Sequence, residues 1–201
     1  MPIAYRFLFP AMWLSWAVYW FWASWRTRPT ERREPIGSRL LHVIPLLLAV
    51  WLLLGRAVPS WLHQRLLPRA AWEFWTAAVI IALGLLFTVW ARVHLGANWS
   101  GVVTIKQGHE LIDTGPYAVV RHPIYSGLLA AFIGSAVAIG EWRGVLAVLI
   151  ASAAFWRKLG LEERWMTERF GERYRVYRER VPALVPFAKL NVNPTPADRS
   201  G

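Results

Sequence analysis

"WEFWTAAVIIALGLLFTVWARV", residues 72–93, decides the fold class of this chain. The stretch is almost wholly apolar and long enough to cross a bilayer as one helix, which takes about 20 residues. The composition of the whole chain agrees, because 56% of its 201 residues are hydrophobic and 14 are tryptophan. Soluble domains are usually less apolar. We therefore expect an all-α, multi-pass membrane helical bundle.

Four other apolar segments raise the expected number of transmembrane helices to about five. Phe7–Trp25 is long enough to cross on its own, whereas Leu40–Leu54 needs a few flanking residues on one side. Ile124–Gly140 and Gly144–Trp156 are joined by only three residues. Such a short link predicts a tight antiparallel hairpin, neither arm of which has to cross the bilayer completely.

The segment after this hairpin has the pattern of an amphipathic helix. One stripe of residues recurs at helical spacing and should face inward. We expect this helix to be kinked at Gly171, to end before Pro182 and to pack on the membrane-embedded body. Residues 191–201 are expected to form a flexible tail. The inward stripe consists of Glu162, Met166, Phe170, Tyr174, Tyr177 and Val181.

The formal net charge of +11 is distributed unevenly along the chain. In a five-span topology, 18 of the 23 lysines and arginines fall on the side of loops 26–39 and 92–123 and of the C-terminal segment. Basic residues concentrate on the cytoplasmic side of membrane proteins. The basic excess therefore predicts topology and contact with membrane lipids, and not nucleic acid binding. For a chain this short we expect a bacterial inner membrane.

The chain has no cysteine, which excludes disulfides, thiolate metal ligands and cysteine nucleophiles. Its five histidines do not recur at the spacing of one helical turn. We therefore expect no dedicated metal site.

"GPYAVVRHPIYSG", residues 115–127, is a polar and aromatic segment at the start of an apolar helix. Pro123 suits the first position of that helix and His122 its N-cap. The backbone N–H groups of a helix start attract anions, so the segment could bind a ligand. The same residues also fit an interfacial turn whose tyrosine and histidine lie at the level of the lipid headgroups.

Glu162 begins the inward stripe of the C-terminal helix, and Glu163 lies one step around that helix. A buried carboxylate needs a cationic partner. That partner is either Arg157, Lys158 or Arg121 in an ion pair, or a bound cation. Because the C-terminal helix and the 115–127 segment lie on the same side of the membrane, they can meet.

"GHELIDTGPYAVVRHPIYSG" (108–127), the paired glutamates and "FGERYRVYRERVPALVP" (170–186) together resemble the isoprenylcysteine carboxyl methyltransferase family, which is related to the phospholipid N-methyltransferases. The resemblance runs from about Asn98 to Phe187. It implies an S-adenosylmethionine-dependent methyltransferase with a pocket that faces the cytoplasm. It divides the chain into N-terminal transmembrane helices (1–95), a catalytic module (96–190) and the tail (191–201).

The resemblance also implies roles for individual residues. Among catalytic residues, Lys158 and Arg157 would orient the carboxylate of a prenylcysteine-like or other lipophilic acceptor, and Glu162 would close the pocket. The implied S-adenosylmethionine-binding residues are Thr104, His109, Leu111, Ile112, Tyr117, His122, Pro123, Ile124, Tyr125 and Glu162.

Four other functions remain compatible with these residues. Two are methyl transfer to a phospholipid amine or to a small thiol. An amine would need deprotonation, for which Glu162, His122 or a tyrosine is the candidate base. The third is an NADPH-dependent membrane reductase, and the fourth is a lipid-binding membrane protein without catalytic activity.

Overall fold

The computed structural model of the protein describes residues 4–25, 30–55, 57–96, 99, 104–106 and 111–186. These residues form a helical membrane bundle with one short pair of antiparallel strands. The helices are α1 (Ala4–Ser24), α2 (Ile36–Leu54), a 3₁₀ turn (Ser60–His63), α3 (Ala71–Leu95), α4 (Pro116–Val119), α5 (Pro123–Ile139), α6 (Trp142–Phe170) and α7 (Glu172–Arg180).

Three of these helices, α2, α3 and α6, are long and apolar enough to cross a membrane. Helix α2 begins at Ile36, so the short apolar run does extend at its N-terminal side as expected. Helix α5 is apolar but has only 17 residues, and α1 has 21 residues and is rich in tryptophan and tyrosine. The membrane bundle is therefore confirmed, whereas the count of five spans stays a prediction.

The fifth apolar segment does not end at Trp156, which corrects the expected boundary. It continues as the single 29-residue helix α6 to Phe170, a length of about 43 Å. Residues 157–163 contain no proline, and Gly160 is tolerated inside a helix, so nothing in the local sequence stops it. The expected kink lies at Gly171, whose φ of 54° ends α6, and α7 ends at Arg180 before Pro182.

The two strands, β1 (Thr30–Arg33) and β2 (Thr104–Lys106), were not expected. They pair antiparallel, with Thr30 opposite Lys106 and Arg33 opposite Thr104. The ladder ties the segment that leads into α2 to the segment that precedes residue 111. It therefore brings the N-terminal half of the chain to the side where the polar segments lie.

Helices α3 and α5 pack closely because glycines face each other at their contact. A Cβ atom on Gly84 would lie 2.6 Å from the carbonyl oxygen of Gly127, and one on Gly127 would lie 2.5 Å from that of Gly84. Small residues at such contacts let membrane helices approach. Helix α5 also packs on α6, α6 packs on α2, and α1 packs on α3.

The hairpin between α5 and α6 turns at Gly140, whose φ of 62° is left-handed. Two arginines hold the turn. Arg65 donates to the carbonyl oxygen of Ile139 (2.8 Å) and to the buried carboxylate of Glu73 (2.7 Å). Arg143 donates to the carbonyl oxygen of Gly55 (2.8 Å) at the end of α2. At the end of the bundle that carries the hairpin, arginine side chains thus bind backbone carbonyl oxygens of neighbouring segments.

Gly84→Ala or Gly127→Ala should destabilise the bundle, because the added methyl group would meet a backbone oxygen that cannot move alone. We expect a loss on the order of 1–3 kcal/mol, measured by thermal unfolding in detergent micelles. Gly160→Ala is the matched control, since a Cβ there has nothing within 4 Å. It should leave stability unchanged or raise it by about 0.5–1 kcal/mol. Equal effects at all three positions would contradict the close α3–α5 contact.

Candidate active site

A cavity of about 890 Å³ runs along α5 inside the bundle. Its lining on α5 extends from Pro123 to Ile139, a distance of about 24 Å along the helix axis. Ligand pockets typically have volumes of about 300–1,000 Å³ with a few polar groups at defined positions. The polar groups of this cavity lie mainly at the end formed by the start of α5. The rest of the lining comes from α1, α2, α6 and α7, from residues within 111–122, and from Leu95 and Trp99.

The start of α5 has the local structure that the sequence predicts. Gly115 has a φ of 58° and turns the chain into the short helix α4. His122 is the N-cap of α5 and Pro123 its first residue. The backbone N–H groups of Arg121 and His122 donate to the carbonyl oxygens of residues 182 and 183, at 2.8 and 3.0 Å. The segment after α7 therefore holds the start of α5 in place.

The carboxylate of Glu163 is the centre of this polar end. Its Oε1 accepts hydrogen bonds from Nε and Nη2 of Arg121, at 2.8 and 2.6 Å, and lies 3.3 Å from Nε2 of His122. Its Oε2 lies 3.2 Å from Nε of Arg178. Arg121 also donates to the backbone carbonyl oxygens of Arg178 and Val181. One buried carboxylate thus joins the start of α5, α6 and α7.

The two glutamates differ in burial and in partners, which the sequence did not predict. The side chain of Glu163 is 9% exposed and that of Glu162 is 25% exposed, so the second glutamate is the more buried. Arg121, a candidate partner of Glu162, binds Glu163. At this level of α6, Glu163 faces the start of α5 and α7, Glu162 faces the cavity, and Arg164 is exposed. A single apolar stripe could not show that both glutamates face inward.

Glu162 faces the cavity. It accepts a hydrogen bond from the hydroxyl group of Tyr125, and its other oxygen lies 3.5 Å from Nδ1 of His122. Lys158, one helical turn earlier on α6, lines the same end with its Nζ 5.3 Å from the centre of the Tyr125 ring. The cavity therefore holds a carboxylate and an ammonium group within one turn of α6.

Three stacked rings form the wall beside Glu162. The rings of His122 and Tyr125 have centroids 5.6 Å apart and an interplanar angle of 10°, and those of Tyr125 and Phe155 are 5.2 Å apart at 21°. Tyr125 is stacked between the other two rings, which fixes its position, and all three rings line the cavity.

Both ring nitrogens of His122 face carboxylates, one of Glu162 and one of Glu163. Both contacts are attractive only when both nitrogens carry a proton. Burial on its own would lower the pKa of His122, but the hydrogen bonds to Glu162 and Glu163 outweigh burial and raise this pKa above its ordinary value. His122 is therefore held as an imidazolium.

Burial raises the pKa of three tyrosines around the site well above the ordinary value, so their hydroxyl groups stay protonated. These are Tyr117, Tyr174 and Tyr177. Tyr177 uses its hydroxyl group to donate to the carbonyl oxygen of Tyr117, at 2.6 Å. The expected inward stripe is confirmed here, because Tyr174, Tyr177 and Val181 form a buried cluster with Leu111, against which Met166 and Phe170 pack.

The structure brings most of the predicted site residues together around the cavity. Thr104 lies in β2, but its side chain and the whole of His109 are outside the described residues. The roles of all these residues stay predictions. Those that line the cavity are Leu111, Ile112, Tyr117, His122, Pro123, Ile124, Tyr125, Lys158 and Glu162.

Arg157 contacts a different set of residues. Its guanidinium lies 3.0 Å from Oγ of Ser38, 3.3 Å from Nδ1 of His42 and 3.9 Å from the carboxylate of Glu34. The Glu34 side chain is completely buried. This cluster was not predicted from the sequence. Its signal was the spacing of four residues between Glu34, Ser38 and His42: Ser38 and His42 lie on one face of α2, and Glu34 lies two residues before that helix begins.

Comparison with known proteins finds a matching family model and several similar curated proteins. The family model of the phospholipid methyltransferases matches residues 72–173, about half of the chain. Protein-S-isoprenylcysteine O-methyltransferase B of Arabidopsis thaliana is 30% identical over 54% of this chain and 56% of its own length. The Schizosaccharomyces pombe enzyme of that name is 30% identical over 56% and 49%, and the Homo sapiens one 31% identical over 66% and 50%. The chain spans about half the length of the curated relatives it matches.

Glu163→Gln should destabilise the protein strongly, because Arg121 would then be buried without its anionic partner and His122 would keep only Glu162. Breaking a buried pair costs about 3–5 kcal/mol, which thermal or denaturant unfolding in detergent would detect. Glu172→Gln is the control, since Glu172 pairs with Arg175 on the surface with 75% and 63% of the two side chains exposed. Surface pairs contribute at most about 1 kcal/mol. A mild effect of Glu163→Gln would contradict the central role of this carboxylate.

The raised pKa of His122 makes stability depend on pH. A histidine whose pKa is higher in the folded than in the unfolded state, where it is about 6.5, stabilises the fold fully below that value. This contribution is lost as the pH rises through the folded-state pKa. The stability difference between wild type and His122→Gln should therefore shrink from pH 6 to pH 9, measured as Tm at each pH. A difference that is constant or grows over this interval would show that His122 is not held as an imidazolium.

Proposed function

The chain belongs to the phospholipid methyltransferase family, and from this premise we propose that it is an integral-membrane methyltransferase that uses S-adenosylmethionine. The observation that carries the proposal is the carboxylate of Glu162, which lies beside His122 and Tyr125 at the polar end of a long apolar cavity. One end of such a cavity suits a cationic methyl donor. The rest suits a lipophilic acceptor.

The residues at the polar end fit the chemistry of the donor. S-adenosylmethionine supplies an electrophilic methyl group on a positively charged sulfonium when it is bound. Glu162 would attract the positive charges of this ligand, and the rings of Tyr125 and Phe155 would give it an aromatic contact surface. Leu111 and Ile112 add an apolar surface for a nucleoside base. The contacts with His122 and Tyr125 orient the carboxylate of Glu162.

We propose that the acceptor is the carboxylate of a prenylcysteine-like or similarly lipophilic compound. A carboxylate is already ionised at neutral pH, so the reaction needs no general base. Lys158 would hold the acceptor's carboxylate, and the apolar lining along α5 would hold its hydrocarbon tail. The protein then acts by positioning, with the reacting atoms about 3–3.5 Å apart, and by excluding water from the methyl group.

The polar end of the cavity would face the cytoplasm. The supporting feature is the basic excess in loops 26–39 and 92–123 and in the C-terminal segment, which belong to the same side in a five-span topology. A cytoplasmic site has direct access to a water-soluble donor. The acceptor would reach the apolar lining from the bilayer.

Titration of the purified protein with labelled S-adenosylmethionine tests the proposal. Wild type should bind it, and Glu162→Gln should weaken binding at least about tenfold, because a charge-assisted contact of roughly 1.5–3 kcal/mol is lost. Glu168→Gln, an exposed glutamate of the same helix, should bind like wild type. Absence of binding in the wild type, or equal binding by Glu162→Gln, would refute the assignment of this site.

Methyl transfer to a phospholipid amine is the second candidate, and the matching family model favours it. The amine would have to lose a proton, and Glu162 is the carboxylate within reach of the cavity to accept it. Labelled donor supplied with a prenylcysteine in one reaction and phosphatidylethanolamine vesicles in another separates the two acceptors. Label in the vesicle lipid, with none on the prenylcysteine, would show that the acceptor is an amine and not a carboxylate.

A further inference from the structure

An indole ring lies in the lining of the apolar part of the cavity, beside Phe132 and Ser135 of α5. Trp13 of α1 lines the cavity, and we propose that it determines the length of the hydrocarbon tail that the cavity accepts. This inference rests on the proposed function, because it treats the apolar lining as the site for the tail of a methyl acceptor. It assigns a specificity-determining role to a residue outside the polar site.

Trp13 reaches across the bundle from α1. It packs against the core cluster of α2, α5 and α6 and also against the cluster of α3 and α5. Its ring meets that of Phe132 edge to face, with centroids 5.9 Å apart and an interplanar angle of 77°. Phe132 also lines the cavity and is itself buried. The two rings, one from α1 and one from α5, therefore meet in the lining of the apolar part.

A hydrogen bond holds the Trp13 indole in this position. Its Nε1 donates to Oγ of Ser135, at 3.1 Å. The Ser135 hydroxyl donates in turn to the carbonyl oxygen of Ala131, at 2.8 Å, so its lone pairs are available to the indole. Ser135 is buried. In an apolar surrounding a donor that leaves its only acceptor loses a hydrogen bond that water cannot replace, which keeps the indole from rotating aside.

Trp13 lies partway along the cavity, and the residues of α5 that it contacts give its distance from the polar end. Phe132 and Ser135 lie about 14 Å and 18 Å from Pro123 along the axis of α5. The cavity continues beyond them, with a lining that is again apolar. This far part is formed by Phe9, Pro10, Leu53, Leu54, Ala138 and Ile139.

A tail of limited length would be buried completely between the polar end and Trp13. Each methylene group buried there should raise kcat/KM about fourfold, because burial of one CH₂ is worth about 0.8 kcal/mol and binding in the ground and transition states contributes to this ratio. A longer tail can use the far part only by displacing the anchored indole. The gain in kcat/KM should therefore stop at the length that reaches Trp13.

The first test is the length profile of kcat/KM for N-acetyl-S-prenylcysteines whose tails grow by one isoprene unit at a time. The full chain in lipid nanodiscs should show a maximum, and Trp13→Ala should move that maximum to a longer tail. We expect the ratio of kcat/KM for the longer to the shorter tail to rise at least about tenfold. Trp22→Ala is the matched control, since Trp22 lies on the same helix and is 53% exposed; it should keep the wild-type profile.

Ser135→Ala provides a milder variant in case Trp13→Ala does not fold. It removes the acceptor of the indole N–H and keeps both rings, so it should broaden the maximum toward longer tails. A wild-type profile in both variants, or a wild-type protein whose kcat/KM rises with tail length without a limit, would overturn the inference.

The second test does not depend on methyl transfer. A prenylcysteine with a photoreactive diazirine at the end of a long tail is cross-linked to each variant, and the labelled residue is identified by mass spectrometry. The label should lie near Phe132 in the wild type and near Ile139 or Leu54 in Trp13→Ala. This shift without any methyl transfer would refute the proposed function but keep the role of Trp13. Transfer with an unchanged cross-link and length profile would refute the role of Trp13 alone.

Discussion

The buried carboxylate of Glu163 constrains every other part of the polar site. A charge at this depth is costly unless it is paired and hydrogen-bonded, and three cationic side chains from two segments meet it. Arg121 comes from the start of α5, Arg178 from α7, and His122 is the N-cap itself. Because these partners must converge on one group, the start of α5, the middle of α6 and the end of α7 have one relative arrangement. The cavity takes its polar end from that arrangement.

Two adjacent glutamates differ in role because α6 turns by about 100° between them. Glu163 meets a set of cations supplied by the protein. Glu162 meets the hydroxyl group of Tyr125 and shares the imidazolium of His122, and it keeps one side toward the cavity. His122 connects the two carboxylates. A ligand that binds Glu162 would therefore also affect His122, which stabilises the fold.

The helices pack tightly on one side of α5, and the long cavity lies on another side of the same helix. The facing glycines of α3 and α5, Gly84 and Gly127, leave no space there. On the other side, α1 packs on α3 and α2 packs on α6, and side chains from both helices line the cavity between them. The N-terminal helices, which carry no recognisable motif, thus shape the apolar part of the site. The predicted division of the chain at residue 95 remains a prediction, and residues on both sides of it line one cavity.

Features that depend on residues close together along the chain could be predicted without the structure. Apolar length and helical spacing predicted the membrane bundle, the start of α5 at Pro123, the kink at Gly171 and the buried stripe of α7, because these follow from local backbone geometry and side-chain size. The pairing of each cation with its carboxylate, in contrast, depends on how the helices pack and is visible only in the structure. Arg121, Arg157 and Lys158 were equivalent candidates in the sequence, since an ion pair depends on distances between helices that no local pattern encodes. In the structure, Arg121 pairs with Glu163 and Arg157 lies in the cluster around Glu34. Lys158 lines the cavity together with Glu162.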